Sequence, residues 1–374
     1  MNVAMQRNGL GATPGDAKQH NRALVMRTLY ATGPASRADI ARSTGLTKVT
    51  VSVLVSELIG EGLLHELGQR ESQRPGKPAI LVDLARDSHA VLCLDLSDHR
   101  AFRGALLDLD GGVLVRRDAE RRGATGDEAV ELAVGLALEL QSLAKLPLLG
   151  IGVGTPGVVD DHGVVRTAPN LGWANVPLQQ TIAERTGAPT AVANDANVAA
   201  LAEFRFGDTS EDFILITIGQ GVGSGLILDG HPVTGSSFAS GEIGQVMVGT
   251  DLGLDAEYSR EHVLEHWLSV PAIARALGNA SGGEDREHVL REAGMRLGIA
   301  LAPVVGVLNL AEVVLAGPPE LIEGTLAEAT LDMLRRRTML DSHSALALHT
   351  SAQGDDLVLR GALATVLKQR LGIT

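Results

Sequence analysis

Residues 36–67 read SRADIARSTGLTKVTVSVLVSELIGEGLLHEL, and this stretch decides the fold of the N-terminal part of the chain. Ser36 followed three residues later by an aspartate is a variant of the capping box that begins a helix. Gly45 makes a tight turn, and Thr47 caps a further helix whose apolar residues fall on one face. The stretch therefore predicts two short helices joined by a turn.

The residues on either side extend this pair into a larger motif. Upstream, apolar residues recur at helical spacing from residue 19, and Gly33-Pro34 ends that helix. Downstream, the strand-like runs at 63–67 and 79–84 enclose a polar loop and predict a hairpin. Three helices followed by a hairpin predict a winged helix-turn-helix over residues 19–86, preceded by a flexible tail at 1–18.

Polar side chains on the third helix and in the hairpin loop are the candidate DNA contacts. Those on the helix lie opposite its apolar stripe and have lengths that suit base edges and phosphates in a major groove. The loop is rich in proline and glycine, and its basic side chains suit a narrow minor groove. Each set has a plain alternative, a solvated polar surface, but the surrounding motif favours DNA. The candidates are Thr47, Lys48, Thr50, Ser52, Arg70, Arg74 and Lys77.

Length, composition and charge agree with two functions in one chain. The 374 residues are 45% hydrophobic and 21% charged, which is ordinary for a globular protein of two or three domains. The formal net charge is −13, but residues 1–85 carry +3 and the rest −16. A head with so little positive charge contacts few phosphates. Useful affinity therefore requires two heads, that is, a dimer on a roughly palindromic duplex.

Several function classes are excluded. A single cysteine, Cys93, rules out an internal disulfide and a zinc site with two thiolates. The longest apolar run, residues 297–311, is too short and too interrupted to span a bilayer, and the chain begins with no signal pattern. We therefore expect a cytoplasmic protein without membrane partners. The aromatic content of 2% argues against a stacking platform for single-stranded nucleic acid.

From about residue 88 the pattern changes to alternating strands and helices. Strand-like runs, a helical segment and a further strand follow one another between 90 and 153, and a similar order returns between 213 and 316. This internal repeat predicts an α/β body of two lobes that face each other across a cleft, the architecture of the actin-like sugar kinases. The predicted boundaries are 87–194 for lobe 1, completed by a helix at about 358–374, and 195–357 for lobe 2.

Four segments of the body carry the chemistry, and with the head they resemble the ROK family of repressors, open reading frames and sugar kinases. The resemblance runs from about residue 19 to the C-terminus. It implies an actin-like ATPase, ribonuclease H-like fold whose cleft binds a hexose-like sugar. The segments are GTPGVVD at 154–160, APNLGW at 168–173, NDANVAALAE at 194–203, and GQGVGSGLI at 219–227 followed by GEIGQ at 241–245.

This resemblance also assigns a sugar pocket. Asp195 matches the carboxylate that, in kinase members, takes the proton from the attacking sugar hydroxyl. Its place at the end of a strand suits a ligand-facing group, although a helix N-cap is the alternative role. Glu242 and Glu265 match hydroxyl-binding glutamates, with a plain surface carboxylate as the alternative for either. The implied sugar-binding residues are Gly157, Asn170, Asn194, Asp195, Glu242, Gln245 and Glu265.

Departures from the kinase pattern argue against ATP use. The first phosphate loop reads DLSDHR at 95–100, which lacks both of the family's glycines and adds the negative charge of Asp98, offset in part by Arg100. In the second loop Gln220 replaces a threonine, and the glycine pair that contacts adenosine in the family reads AGPP at 316–319. Gln245 also stands where the family has a zinc-binding histidine, and no cysteines follow. We expect no cofactor and no metal, with Asp195 as a vestigial base.

The leading prediction is a transcriptional regulator, most simply a repressor of genes for sugar uptake or catabolism, which binds a sugar but is not an enzyme. It would act as a homodimer or tetramer on double-stranded operator DNA. Two alternatives stay open. One is an active ATP-dependent sugar kinase with an added DNA-binding head, supported by Asp195. The other is a regulator whose cleft is only a dimerisation scaffold, supported by Gln245 and the lost zinc site.

Overall fold

The computed structural model describes residues 14–69, 79–248, 255–278 and 282–373. The chain divides into two compact units. The first contains the described residues up to 89, residues 108–110 and those from 367 onward, and the second contains residues 90–107 and 111–366. Within the described part of the chain, no helix is both long and apolar enough to cross a lipid bilayer.

The first unit has the helices and the hairpin that the sequence predicts. The Ser36 hydroxyl accepts from the N–H of Asp39, and the Asp39 carboxylate accepts from the N–H of Ser36, which completes the capping box. Gly45 adopts the left-handed backbone, with φ of 71°, and turns the chain between the two helices. The elements are α1 (Pro14–Thr32), β1 (Ala35–Ser36), α2 (Arg37–Thr44), α3 (Lys48–Gly60), β2 (Leu64–Gln69) and β3 (Ile80–Leu84).

Two details of this unit differ from the sequence expectation. Helix α1 begins at Pro14, so residues 14–18 belong to a helix rather than to a tail. Strand β1 pairs with β3 and gives a sheet of order β1-β3-β2. A strand of two residues is too short to show an alternating pattern and therefore could not be predicted from the sequence. The hairpin loop, residues 70–78, lies outside the described residues.

The second unit holds the two lobes. Lobe 1 contains β4 (Ala90–Asp95), β5 (Ala101–Leu107), β6 (Val113–Glu120), α4 (Gly126–Leu143), β7 (Leu148–Thr155), β8 (Val158–Val159), β9 (Val165–Ala168), β10 (Trp173–Val176), α5 (Leu178–Thr186) and β11 (Thr190–Asn194). Lobe 2 and the C-terminal helix contain α6 (Asp195–Phe206), β12 (Phe213–Ile218), β13 (Val222–Leu228), β14 (His231–Pro232), α7 (Leu264–Leu268), α8 (Val270–Gly278), α9 (Gly283–Leu308), β15 (Glu312–Ala316), α10 (Pro319–Ile322), α11 (Thr325–Arg337), α12 (Leu340–His343), β16 (Ala347–Thr350) and α13 (Leu357–Leu371).

The two lobes repeat one sheet topology. The large sheet of lobe 1 has the order β11-β7-β4-β5-β6, and that of lobe 2 has the order β14-β13-β12-β15-β16. In each lobe the first strand pairs antiparallel with the second and parallel with a later one that follows a helical crossover. The internal repeat and the actin-like, two-lobed fold class are therefore confirmed.

Helix α13 packs against α6 and β7 with almost no space between backbones. A Cβ on Gly361 of α13 would lie 1.9 Å from the carbonyl oxygen of Val198 on α6. A Cβ on Gly152 of β7 would lie 2.2 Å from the carbonyl oxygen of Ala362. Glycine is needed at both positions, since a real Cβ does not approach a backbone atom so closely. The start of α6, where Asp195 lies, is thus held against both β7 and α13.

The end of α13 belongs to the first unit rather than to lobe 1. Residues from 367 onward group with the head, whereas the sequence assigned the whole helix to lobe 1. Arg27 donates from Nε to the carbonyl of Gly372 across 2.9 Å, and Leu371 and Ile373 are buried. A Cβ on Gly372 would lie 2.2 Å from the Cβ of Ala23 on α1. The last residues of the chain are therefore part of the core of the head.

Candidate effector cleft and DNA-binding face

Three neighbouring parallel strands of lobe 1 end at one edge of the sheet. Asp95 at the end of β4 pairs with Gly154 on β7, and Asn194 at the end of β11 pairs with Thr155 on β7. Asp195 follows as the first residue of α6. The carboxyl ends of parallel strands are where α/β folds bind ligands, because the following loops leave a crevice there. We call this edge, with the lobe 2 loops around residues 241–245, the effector cleft.

Asn194, rather than Asp195, caps helix α6. Its side-chain oxygen accepts from the N–H of Asn197 across 3.0 Å, and its amide nitrogen donates to Asp195 Oδ1 across 3.0 Å. The same nitrogen donates to the carbonyl of Gly157 across 3.0 Å. Asp195 Oδ1 also accepts from the N–H of Ala196 at 2.9 Å. One asparagine therefore joins the cap, the candidate carboxylate and the Gly157 loop.

Gly157 occupies a position that no other residue fits without strain. Its φ is 92°, and a Cβ there would lie 2.0 Å from the carbonyl oxygen of Thr167. This close approach turns the chain at the end of β7 and brings its carbonyl to Asn194. The structure thus brings Gly157 and the Asn194–Asp195 pair together, and their role in sugar binding stays a prediction.

The Asp195 carboxyl has an unusual affinity for protons. Burial, with the negative charges of Asp95 and Glu242, raises its pKa from 3.8 to about 7. Asp95 is only 4% exposed, and burial raises its pKa as well. At neutral pH, Asp195 is about half protonated and can either accept from or donate to a hydroxyl. The Asp195 carboxyl is therefore suited to hydrogen-bond the hydroxyls of a polyol or to accept a proton from one of them.

Asn170 is an exposed residue of a short 3₁₀ helix, Pro169–Leu171, whose backbone a buried arginine holds in place. Arg121 is 7% exposed and donates from Nη2 to the carbonyls of Ala124 and Asn170, each at 3.1 Å. Its guanidinium also lies 5.6 Å from the ring centre of Phe102. Sequence reasoning did not find Arg121, because it belongs to a run of mostly charged residues, 116–121, that the pattern predicts to be exposed throughout.

The two candidate glutamates of lobe 2 have different surroundings. The Glu242 side chain is exposed at its surface, but neighbouring atoms shield part of it from water. This partial burial, together with the negative charge of Glu265, raises the pKa of Glu242. Glu265 is partly buried, and its Oε2 accepts from the N–H of Val222 across 3.0 Å, next to Gly221. Glu242 thus faces solvent at the cleft, whereas Glu265 holds the hairpin turn between β12 and β13. A direct sugar contact by Glu265 remains a prediction.

Gln245 accepts a hydrogen bond from an exposed tyrosine. The hydroxyl of Tyr258 donates to Gln245 Oε1 across 3.0 Å. Nearby, Met247 and Val263 form an isolated antiparallel bridge that closes the same segment. Among the described residues, no group of three His, Cys, Asp or Glu side chains is arranged to hold a metal ion. The Tyr258 hydrogen bond and the Met247–Val263 bridge thus join the residues next to Gln245 to those around Tyr258 and Val263.

The polar residues predicted on α3 divide into two groups. Thr47 Oγ1 accepts from the N–H of Thr50, and the two hydroxyls share a hydrogen bond of 2.9 Å, so both threonines form the N-cap. Lys48 and Ser52 are exposed. Arg70, Arg74 and Lys77 lie outside the described residues.

Sequence reasoning overlooked two valines on the same exposed face of α3. Val49 and Val53 are 75% and 52% exposed. The signal was present in the helical spacing, because both fall opposite the buried stripe of Val51, Leu54 and Val55.

Acidic side chains near this face are paired with cations inside the head. Lys18 on α1 contacts Glu57 at 2.9 Å, and Arg22 contacts Glu61 through both of its terminal nitrogens at 2.6 Å. The second pair raises the pKa of the arginine and lowers that of the glutamate. Such exposed pairs add little stability. They do reduce the negative charge that would repel DNA phosphates.

Residues 91–369 match the ROK family. The chain belongs to the ROK family. Over 95% of this chain and 97% of the relative, it is 27% identical to a xylose repressor of Caldicellulosiruptor bescii. A ROK family transcriptional regulator, described as a homologue of the Escherichia coli MLC protein, superposes with a TM-score of 0.82 at 24% identity, over 95% of this chain and 98% of that one.

A ROK kinase covers less of the chain. The glucokinase of Streptomyces griseus, solved with glucose and AMPPNP, superposes with a TM-score of 0.62 at 22% identity, over 74% of this chain and 98% of that one. This ROK kinase thus leaves about a quarter of this chain unmatched, whereas the two regulators named above each match 95% of it. This comparison favours a ROK regulator over a ROK enzyme.

In this ROK chain the first phosphate loop is closed by its own side chains. Asp95 Oδ1 accepts from the backbone N–H and the hydroxyl of Ser97, at 2.9 and 2.6 Å. Asp98 is paired with Arg103 at 3.2 Å, whereas Arg100 offers Asp98 only its backbone N–H. The expectation that the Arg100 side chain offsets Asp98 was therefore wrong, because the strand geometry of β5 presents Arg103 instead.

The second ROK phosphate loop is a tight hairpin. Ile218 pairs with Val222, and the N–H of Gly219 donates to the carbonyl of Gly221 at 2.9 Å. Gly225 has a packing role, since a Cβ there would lie 2.4 Å from the carbonyl oxygen of Ala196 on α6. The glycines of this segment are explained by the turn and by close helix packing.

Proposed function

We propose that this ROK protein is a transcriptional repressor that senses a sugar in the effector cleft and does not phosphorylate it. The observation that carries the proposal is the contrast within one cleft. The groups suited to hydroxyls surround Asp195, whose pKa is about 7. The first phosphate loop is closed by Ser97, and the second is a hairpin. The repressor function of relatives aligned along almost the whole chain supports the same conclusion.

The proposed ligand is a small polyol held by both lobes. Asn170 and Asn194 would contact it from lobe 1, and Asp195, Glu242 and Gln245 from lobe 2. Amide and carboxyl groups suit sugar hydroxyls because each can make two hydrogen bonds. The side-chain amide of Asn194 already donates to Asp195, so this carboxylate is positioned before the sugar arrives.

The proposed partner of the head is a palindromic operator bound by a dimer. Residues 1–85 carry a net charge of only +3, so one head makes few phosphate contacts. For the sugar to act as an inducer, it must bind the state that does not bind DNA more tightly, because equal affinity shifts no equilibrium. The sugar therefore lowers operator affinity in the proposed mechanism.

Two linked measurements test this function. Calorimetry with a panel of hexoses, pentoses and amino sugars should find one that binds, and gel-mobility assays should show that this sugar weakens DNA binding. Glu242→Ala should remove the sugar response and leave DNA binding unchanged. If none of the sugars binds, or if Glu242→Ala responds like the parent, the sensing part of the proposal is wrong.

A second candidate function, sugar phosphorylation, is favoured by one observation. A carboxyl with a pKa of about 7 is a suitable general base at neutral pH. A coupled assay of ADP release with the binding sugar decides between the two. Steady turnover that Asp195→Asn abolishes would establish a kinase, and its absence with sugar bound would leave the repressor as the function.

A further inference from the structure

The outward face of α3 carries small side chains and no acid. Val49, Ser52, Val53 and Ser56 follow one another at the spacing of a single helix face, and all four are exposed. Val49 is 75% exposed and Val53 is 52% exposed. Lys48 borders them on one side, and Glu57, four residues after Val53 and paired with Lys18 at 2.9 Å, borders them on the other. The helix therefore presents an uncharged, partly apolar stripe to solvent.

Folding of the head does not account for the two valines. The core of the head is served by other residues of α3, namely Val51, Leu54, Val55 and Leu58. Valine is also a poorer helix former than alanine, because its branched Cβ loses rotamer freedom against the preceding turn. Two exposed valines in the first two turns therefore point to contact with a partner.

The major groove of DNA offers a matching apolar group. The C5-methyl of thymine is the apolar group that bases present there. The N-terminal residues of a recognition helix are the ones that reach base edges, and the Thr47 cap places Val49 and Val53 in the first two turns. Side chains four residues apart on a helix lie about 6 Å from each other, which is about two base-pair steps.

We propose that Val49 and Val53 contact thymine methyl groups and so select thymine at two nearby positions in each operator half-site. This inference rests on the proposed function, because it requires that α3 enters a major groove. The short side chains of Ser52 and Ser56 allow the helix to approach the groove floor, and Ser56 donates its hydroxyl to the carbonyl of Ser52. Specificity at these positions then comes from methyl contacts rather than from hydrogen bonds.

The test begins with the purified full-length chain and a random duplex library. A tight-binding duplex is selected, and each of its thymines is replaced in turn by deoxyuridine, which removes only the methyl group. At one or two positions per half-site, binding should weaken about three- to fivefold per methyl, the effect of losing one buried methyl contact. Val49→Ala should lose the response at one of these thymines and Val53→Ala at the other, because each variant lacks the methyls that contact only one position.

Val307→Ala is the matched control, because Val307 is 82% exposed on α9 of lobe 2. It should bind the selected duplex, and respond to deoxyuridine, like the parent. Thermal unfolding of the variants checks that each remains folded. This inference is wrong, while the proposed function stands, if no deoxyuridine weakens binding. It is also wrong if Val49→Ala and Val53→Ala each lose as much affinity as the parent does at every responsive thymine. If the parent selects no duplex, both are overturned.

Discussion

The side-chain amide of Asn194 donates to the carboxyl of Asp195 across 3.0 Å. The N–H of Ala196 donates to the same oxygen, Oδ1, at 2.9 Å. Two neutral donors thus orient a carboxyl whose pKa burial and neighbouring carboxylates hold near 7. Its geometry is fixed by the start of α6, and its charge depends on pH in the physiological range.

Asp195→Asn should flatten the pH dependence of stability. Between about pH 4 and pH 7 the folded chain holds a proton on Asp195 that the unfolded chain has released, so the free energy of unfolding falls as the pH rises and levels off above 7. An asparagine oxygen can keep both hydrogen bonds without this effect. The variant should be more stable than the parent at pH 8, by up to about 4 kcal/mol, and similar to it near pH 4. Melting temperatures between pH 4 and 8 check this, and parallel curves would contradict it.

Glu265 should stabilise the protein mainly through its hydrogen bond to the hairpin rather than through its negative charge. Glu265→Ala leaves the N–H of Val222 without its acceptor and should cost about 1–3 kcal/mol of unfolding free energy. Glu265→Gln keeps an acceptor oxygen and should change stability by less than about 0.5 kcal/mol. Urea unfolding of both variants measures the difference. Equal losses in the two would mean that the negative charge itself stabilises the hairpin.

Gly361→Ala should be severely destabilising. The new Cβ would lie 1.9 Å from the carbonyl oxygen of Val198, a backbone atom that cannot move away by a change of rotamer. The expected loss of unfolding free energy is at least about 2 kcal/mol. Gly135 on α4 is the matched control, because it is exposed and has no atom within 4 Å of the position of a Cβ. Gly135→Ala should stabilise the helix by about 0.5–1 kcal/mol. Chemical denaturation of the two variants should give opposite signs.

Substitutions at Thr47 separate helix capping from DNA contact. Thr47→Asp and Thr47→Asn both keep a capping oxygen, so each should stay within about 0.5 kcal/mol of the parent, whereas Thr47→Ala should lose about 1 kcal/mol. Only the aspartate adds a negative charge beside the phosphates, and DNA affinity should fall about tenfold. The asparagine variant should bind nearly as well as the parent. A comparable loss in Thr47→Asn would show that the threonine itself reads DNA.

The regular elements were accessible from the sequence because their patterns are local. Helix α4 (Gly126–Leu143) and strand β12 (Phe213–Ile218) lie within the stretches 90–153 and 213–316, where periodicity predicts alternating helices and strands. Glycines with a positive φ, such as Gly45, were found as turns.

The partners of side chains were not accessible in the same way. The pairing of Asp98 with Arg103 depends on how the chain turns into β5, and the burial of Arg121 depends on a loop 49 residues away. Likewise, the hydrogen bond between the hydroxyls of Thr47 and Thr50 needs the positions of both side chains, although the Thr47 cap itself was predicted from the sequence. Family resemblance located the cleft, but only three-dimensional contacts distinguish the exposed Glu242 from the hairpin-bound Glu265.

The packing of Arg27 and Ala23 against Gly372 has a practical consequence for anyone who wishes to study the head alone. The head includes residues 108–110 and those from 367 onward, so a fragment that stops near residue 89 would lack Gly372, the partner of Arg27 on α1, and the buried side chains of Leu371 and Ile373. Affinity tags appended after Thr374 would be attached immediately next to the same contacts. Purification handles are therefore better placed ahead of Pro14, and protein–DNA crystallisation trials are better started with the intact polypeptide.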